Sequence, residues 1–123
     1  VIDGPPGIGC PVIAAITGVD LLLVVTEPTL SGIHDLERVL GVASHFNVPA
    51  MVCINKMDIN RDNTDRIKNY CHQKDIEMVG GIPYDPIVTK AMVAGKSVVE
   101  FGDGLVAFEI KKIWEKMRVS LQN

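Results

Sequence analysis

Three short stretches of this 123-residue chain bring chemistry-bearing side chains close together. The first is Asp3 followed by Gly4-Pro5-Pro6-Gly7-Ile8-Gly9. A carboxylate directly before a glycine-rich loop suits a nucleotide site: the acid can hold Mg²⁺ through water, and the loop's backbone N–H groups can face a terminal phosphate. Glycine serves there because a side chain would hold the backbone away from the phosphate oxygens. The second is Asn55-Lys56-Met57-Asp58. Asn55 can offer donor and acceptor to a purine edge, Asp58 can accept from a ring or exocyclic N–H, and Lys56 can lie along the base. The third, Pro83-Tyr84-Asp85, can wall a base. Taken singly, each has a plainer reading: a chain turn, a solvated loop and an ordinary proline turn.

The hydrophobic pattern supplies the elements that must hold these stretches. Val1-Ile2-Asp3 reads as the end of a strand already under way, and Cys10 to Thr17 as a short buried helix stopped by Gly18. Leu21 to Thr26 is continuously apolar, which predicts a strand covered on both faces. Pro28 ends it, and Thr29 or Ser31 can cap a helix running to about Phe46, with Ile33, Leu36, Val39, Leu40 and Ala43 at three-and-four spacing. Ala50 to Ile54 is a second buried strand. A helix from about Asn63 to Lys74 exposes Asp65, Arg66 and Lys68 and buries Ile67, Tyr70 and Cys71. Ile76 to Ile82 is a third strand, Ile87 to Ala94 a short helix stopped by Gly95, and Val98-Val99-Glu100 extended. Leu105 to about Leu121 is an amphipathic helix with Phe108, Ile110, Ile113, Trp114 and Met117 inward. Strands alternating with helices give an α/β fold, a three-layer α/β/α sandwich on a mainly parallel sheet. Ligands of such sheets sit at the carboxyl ends of the strands, where all three polar clusters are expected to converge.

Residues 1–123 read as one domain, since 47% hydrophobic and 22% charged residues exclude a disordered chain and the length is too short for two cores. Fifteen acidic against twelve basic side chains leave no basic stripe for a phosphate backbone, so nucleic acid is not an expected partner. The longest apolar run falls far short of the ~20 residues that span a bilayer. Three cysteines without framework spacing, and no leader or lipidation motif, fit a reducing, cytoplasmic setting. Cys53 belongs to a strand core, and Cys71-His72 has no partner at metal spacing. His34 and His45 share a helix face without acid or thiol to complete a metal shell. The chain opens at Val1 without an initiator Met, which reads as a piece of a longer polypeptide.

In this order, Asp3-Gly4-Pro5-Pro6-Gly7, the strand ending in Thr26-Glu27-Pro28, Ile54-Asn55-Lys56 and Ile82-Pro83-Tyr84-Asp85 resemble the second half of MinD/ParA-type ATPases. These are P-loop proteins with a deviant Walker A motif, among them the nitrogenase iron protein and iron–sulfur carrier ATPases. Gly95 to Glu100 and the last helix fit too, so the resemblance covers nearly the whole chain. It is nearest to the MinD-like ATPases with an inserted ferredoxin-type cluster domain, which would lie upstream of Val1. The resemblance implies a partial P-loop NTPase fold lacking the Walker A strand, within a parent that binds and hydrolyses Mg-ATP as a homodimer switch. It implies Asp3 as the switch aspartate near Mg²⁺, Gly7 as an N–H donor to the γ-phosphate, Asn55 as reader of the adenine, and Pro83 to Asp85 as its cover. Cys10 follows Asp3 at the interval of the iron protein's cluster cysteine. That implies a 4Fe–4S cluster at a dimer interface and iron–sulfur acceptor proteins as partners; the plainer reading is a small buried residue starting a helix.

Two features depart from the pattern. No G-x-x-x-x-G-K-[ST] occurs, and Lys56, Lys90 and Lys96 lack the glycine setting, so the chain by itself is expected neither to hydrolyse ATP nor to bind it tighter than millimolar. The strand that leads into that loop is also absent, leaving the Leu21 to Val25 edge open to another chain or to the displaced first segment. Asn55-Lys56-Met57-Asp58 also fits the N-K-x-D guanine signature, which makes GTP the rival ligand. Against GTP, Gly7 stands one residue too far from Asp3, and Ile82-Pro83-Tyr84-Asp85 replaces the S-A-K loop. A non-catalytic adaptor that recruits a partner through its open sheet edge is the alternative of a different class.

Overall fold

The computed structural model describes residues 1–122. The run Ala50 to Ile54 carries no polar side chain, and as strand β2 (Ala50–Asn55) it is the one strand buried on both faces. Val52 and Ile54 point into one helical layer, Met51 and Cys53 into the other. β1 (Leu22–Thr26) and β3 (Glu77–Ile82) flank it in the order β1-β2-β3, both parallel. Leu22 pairs with Ala50 and Thr26 with Ile54, while Met51 pairs with Glu77 and Asn55 with Ile82, across an irregularity at Val52/Cys53. All three strands therefore run out on the same rim.

One face is covered by α2 (Leu30–His45) and α3 (Arg61–Gln73), whose Ile33, Leu36, Leu40, Ile67 and Cys71 pack on Val52 and Ile54. Both helices begin on side-chain caps: Thr29 Oγ1 accepts from the Gly32 N–H and Asn60 Oδ1 from the Asn63 N–H, each worth about 1 kcal/mol. The other face is covered by α6 (Leu105–Gln122), with Ile113 against Met51, Cys53 and Val79. Gly80 lets that helix in, since a Cβ there would lie 2.9 Å from Ile113 Cγ1. Lys116 Nζ adds a hydrogen bond to the Val79 carbonyl at 2.9 Å. α1 (Cys10–Ile16) buries Val12 and Ile16 against Ala43 and Val48, and α4 (Ile87–Val93) and α5 (Val98–Phe101) connect β3 to α6. The architecture is the three-layer sandwich on a parallel sheet that the alternating pattern predicts.

Five local expectations are corrected. Val1-Ile2-Asp3 forms no strand and is exposed, because an extended tripeptide gains ladder bonds only from a neighbouring strand and the outer edge of β1 is not paired with it. β1 is not covered on both faces: Val25 is 59% exposed where α6 leaves it bare. Val98-Val99-Glu100 is helical, not extended, because Ser97 Oγ accepts from the Glu100 N–H and caps the turn. Phe108 and Trp114 point outward; Val106, Ala107 and Ile113 fill the inward stripe, and the Phe108 ring carries Lys112 Nζ 5.3 Å from its centroid. Cys10 does start a helix, but it is exposed.

Candidate functional site

The rim at the carboxyl ends of the strands is tied together by three contacts. Beyond β1, Glu27 reaches across to Lys56, which follows β2, with Lys56 Nζ 3.3 Å from Glu27 Oε1. Beyond β2, Asp58 Oδ1 accepts the Tyr84 N–H at 2.8 Å, and the Met57 N–H donates to the Ile82 carbonyl at 2.9 Å. The Asn55–Asp58 and Pro83–Asp85 clusters thus form one surface, with Glu27 as a third member. Glu27 belongs to the Thr26-Glu27-Pro28 strand end, but that pattern assigns its side chain no role.

Local structure explains how each side chain is set. Lys56 takes a left-handed backbone conformation, φ 53°, as the chain turns off β2; that conformation is unfavourable for a residue with a Cβ. Asn55 Oδ1 accepts from the Lys56 N–H at 3.0 Å and holds the corner, which leaves the amide Nδ2–H pair of Asn55 as donors. By strand alternation Asn55 shares the face of Cys53, the face that α6 covers. Thr64 Oγ1 donates to the Met57 carbonyl at 2.7 Å and Asn63 Nδ2 to the Pro28 carbonyl at 3.1 Å, so the start of α3 braces both neighbouring loops. Asp85 Oδ1 accepts from the Ile87 N–H at 2.9 Å and so starts α4, while Tyr84 is 57% exposed.

The start of α2 is pressed just as closely to the rim. Gly32 faces the Glu27 carbonyl so tightly that a Cβ would collide with it, and would also stand 3.0 Å from Thr29 Oγ1. Thr26 Oγ1 bonds the Gly32 carbonyl at 3.2 Å.

The N-terminal cluster is not tied to that surface by any described contact. Asp3 and Gly7 are exposed, and no described hydrogen bond or ion pair joins either to Asn55–Asp58 or Pro83–Asp85. Ile8, the half-buried member of the loop, packs with Ile13 into an apolar groove beside Arg38, Gly41, Val42, His45 and Phe46, on the C-terminal half of α2. Two of the three expected clusters are thus joined by hydrogen bonds, while Asp3 and Gly7 make no described contact with either.

Burial pushes the Cys53 thiol up to about 11, with the Glu109 carboxylate adding to it, and burial raises Cys71 as well. Both thiols are inert core groups by this measure. Among the described residues no group of three or more His, Cys, Asp or Glu is placed to hold a metal ion. Cys10 is exposed and belongs to no such group, so the described residues do not by themselves compose an iron–sulfur site. Asp3 is a solvent-facing carboxylate in no ion pair among the described residues, which fits one water-mediated contact to Mg²⁺ and nothing more. No helix among the described residues is long and apolar enough to cross a membrane.

No family model matches the chain. It is 33% identical over 118 residues to an uncharacterized protein of Methanocaldococcus jannaschii, a match covering 96% of this chain and 39% of that protein. Two uncharacterized ATP-binding proteins of the same organism match at 28% over 118 residues and 29% over 107, covering 95% and 85% of this chain and 45% and 40% of theirs. The chain thus spans about two-fifths of the length of these curated relatives. Among solved structures, the MinD cell division protein of Aquifex aeolicus superposes with a TM-score of 0.77 at 21% identity, over 94% of this chain and 50% of that one. The cell division ATPase MinD of Pyrococcus furiosus gives 0.76 at 19%, over 94% and 49%. Its three parallel strands and alternating helices therefore give this chain the fold of one half of a MinD protein.

Proposed function

We propose that the chain is the nucleotide-gripping second half of a MinD-like ATPase, whose parent binds and hydrolyses Mg-ATP and acts as a homodimeric switch. The observation that carries this reading is the tied rim, where Asp58 holds Tyr84 and Lys56 holds Glu27 at the carboxyl ends of three parallel strands, the end where such sheets take their ligands. The description of two relatives as ATP-binding proteins supports it, as does the MinD fold.

In this reading Asn55 reads the adenine through its Nδ2 donors, Lys56 lies along the base, and Pro83, Tyr84 and Asp85 cover it. Asp58 serves mainly as the brace that places Tyr84. Asp3 contacts Mg²⁺ through water and Gly7 donates its N–H to the γ-phosphate, roles that require the exposed N-terminal segment to lie along the rim when nucleotide is bound. Mg²⁺ supplies charge neutralisation of the phosphates when bound. The spacing of Gly7 from Asp3 and the Ile82-Pro83-Tyr84-Asp85 segment in place of an S-A-K loop weigh against GTP. A link to iron–sulfur handling rests on Cys10 alone, and iron and sulfide analysis of the parent with and without C10A tests it.

The test of the main reading is a competition titration of ATP and GTP on the parent polypeptide, beside calorimetry on residues 1–123. Micromolar ATP binding by the parent that GTP does not displace, with binding no tighter than millimolar by the chain alone, is expected. Micromolar binding by the isolated chain, or a preference for GTP, overturns it. Loss of nucleotide response on D3A further separates the switch from a plain adaptor.

A further inference from the structure

We propose that Glu109 selects the base, accepting from an exocyclic amine and so favouring a 6-aminopurine over a 6-oxopurine. The inference rests on the nucleotide reading above and adds a residue that no motif marks. A shallow, open depression of about 370 Å³ lies at the end of β3, lined by Met57, Gly81, Pro83, Leu105 and Glu109. Its walls are a thioether, a bare stretch of backbone, a proline ring and a leucine. Gly81 is needed there, because a Cβ would run into Met57 Sδ, so the methionine lies flat against the strand. An open apolar surface of this kind can carry one face of a planar heteroaromatic ring, and a polarizable thioether makes favourable contact with one.

The one charged group in that depression is the Glu109 carboxylate, whose side chain is only 19% exposed. Its ion-pair partner, Lys112 Nζ, stands 3.6 Å away, beyond hydrogen-bond length. The carboxylate therefore keeps acceptor capacity that no protein donor uses. It also lies over the sheet, near enough for its charge to reach Cys53 on the face that Asn55 shares. An amine presented by a purine edge satisfies that acceptor. A carbonyl at the same ring position would set oxygen against oxygen at a half-buried carboxylate, which is the repulsive element that selectivity requires.

The parent polypeptide is titrated with ATP and, in competition, inosine triphosphate, which differs at the 6-position. Wild-type protein is expected to prefer ATP. E109A should lower the ATP-to-inosine-triphosphate affinity ratio about tenfold, the scale of one hydrogen bond to a charged group. E109Q, which keeps the shape and adds a donor, should move the ratio the same way, and K112A should leave it unchanged. An unaltered ratio in E109A and E109Q with ATP still bound overturns this inference and leaves the nucleotide reading standing. Failure of the wild-type parent to bind ATP overturns both.

Discussion

Raising the pH from about 8 to about 10 will destabilise the protein through Cys53. The thiol is 1% exposed, and burial, reinforced by the Glu109 carboxylate, raises its pKa from the ordinary 9.0 to about 11. In the unfolded chain the thiol ionises near 9, whereas in the fold it stays neutral. The stabilisation is therefore complete below pH 9 and is lost as pH climbs through 11. With about 1.4 kcal/mol per pKa unit, a two-unit shift is worth at most about 2.7 kcal/mol, of which about 1.4 kcal/mol is gone by pH 10. The assay is urea denaturation of wild type and C53A at the two pH values. Tyr70 and Cys71, whose pKa values are also raised, titrate in both proteins and cancel in the comparison. C53A should be the weaker protein at pH 8, from the cavity it leaves, but wild type should lose about 1.4 kcal/mol more than C53A on going to pH 10. Parallel losses in the two proteins would refute the argument that burial holds the Cys53 thiol neutral in the fold.

Three further outcomes follow from contacts at the rim. G32A places a Cβ against the Glu27 carbonyl and Thr29 Oγ1; with backbone unable to give way, thermal melts should show a loss of about 1–3 kcal/mol. D58A removes the acceptor of the Tyr84 N–H and should cost about 1 kcal/mol in urea, most of it restored in D58N, whose amide oxygen still accepts; equal losses in both variants would count against the brace. A double-mutant cycle on Glu27 and Lys56, both nearly half exposed, should return a coupling below about 1 kcal/mol, and a value several times larger would mean that the pair is shielded from solvent.

What could be read from the chain was whatever depends on local pattern. β2 follows from an unbroken apolar run, α2 from three-and-four spacing with Thr29 before it, and the Asn55 and Pro83 clusters from their place just past strands. What escaped depends on neighbours. Val1 to Asp3 has strand-like residues but no strand beside it, and Val98-Val99 is β-branched yet helical because the Ser97 cap outweighs that preference. Phe108 and Trp114 look like core residues by type, although the stripe that meets the sheet runs through Val106 and Ile113. Glu27 stands in the sequence only as part of a strand end, with no role for its side chain, and Glu109 stands in no motif at all. They reach the site because β1 ends beside β2 and because α6 crosses above Cys53.

The parallel order β1-β2-β3 also fixes when the molecule can assemble. Leu22 meets Ala50 and Met51 meets Glu77, so each ladder joins segments that an entire helix separates along the chain. Helices α2 and α3, capped by their own flanking residues, can form from local contacts, whereas among the described residues both strand pairings are parallel and no hairpin nucleates the sheet. A nascent chain therefore carries each apolar strand unpaired until the helix and strand that follow it have emerged from the ribosome.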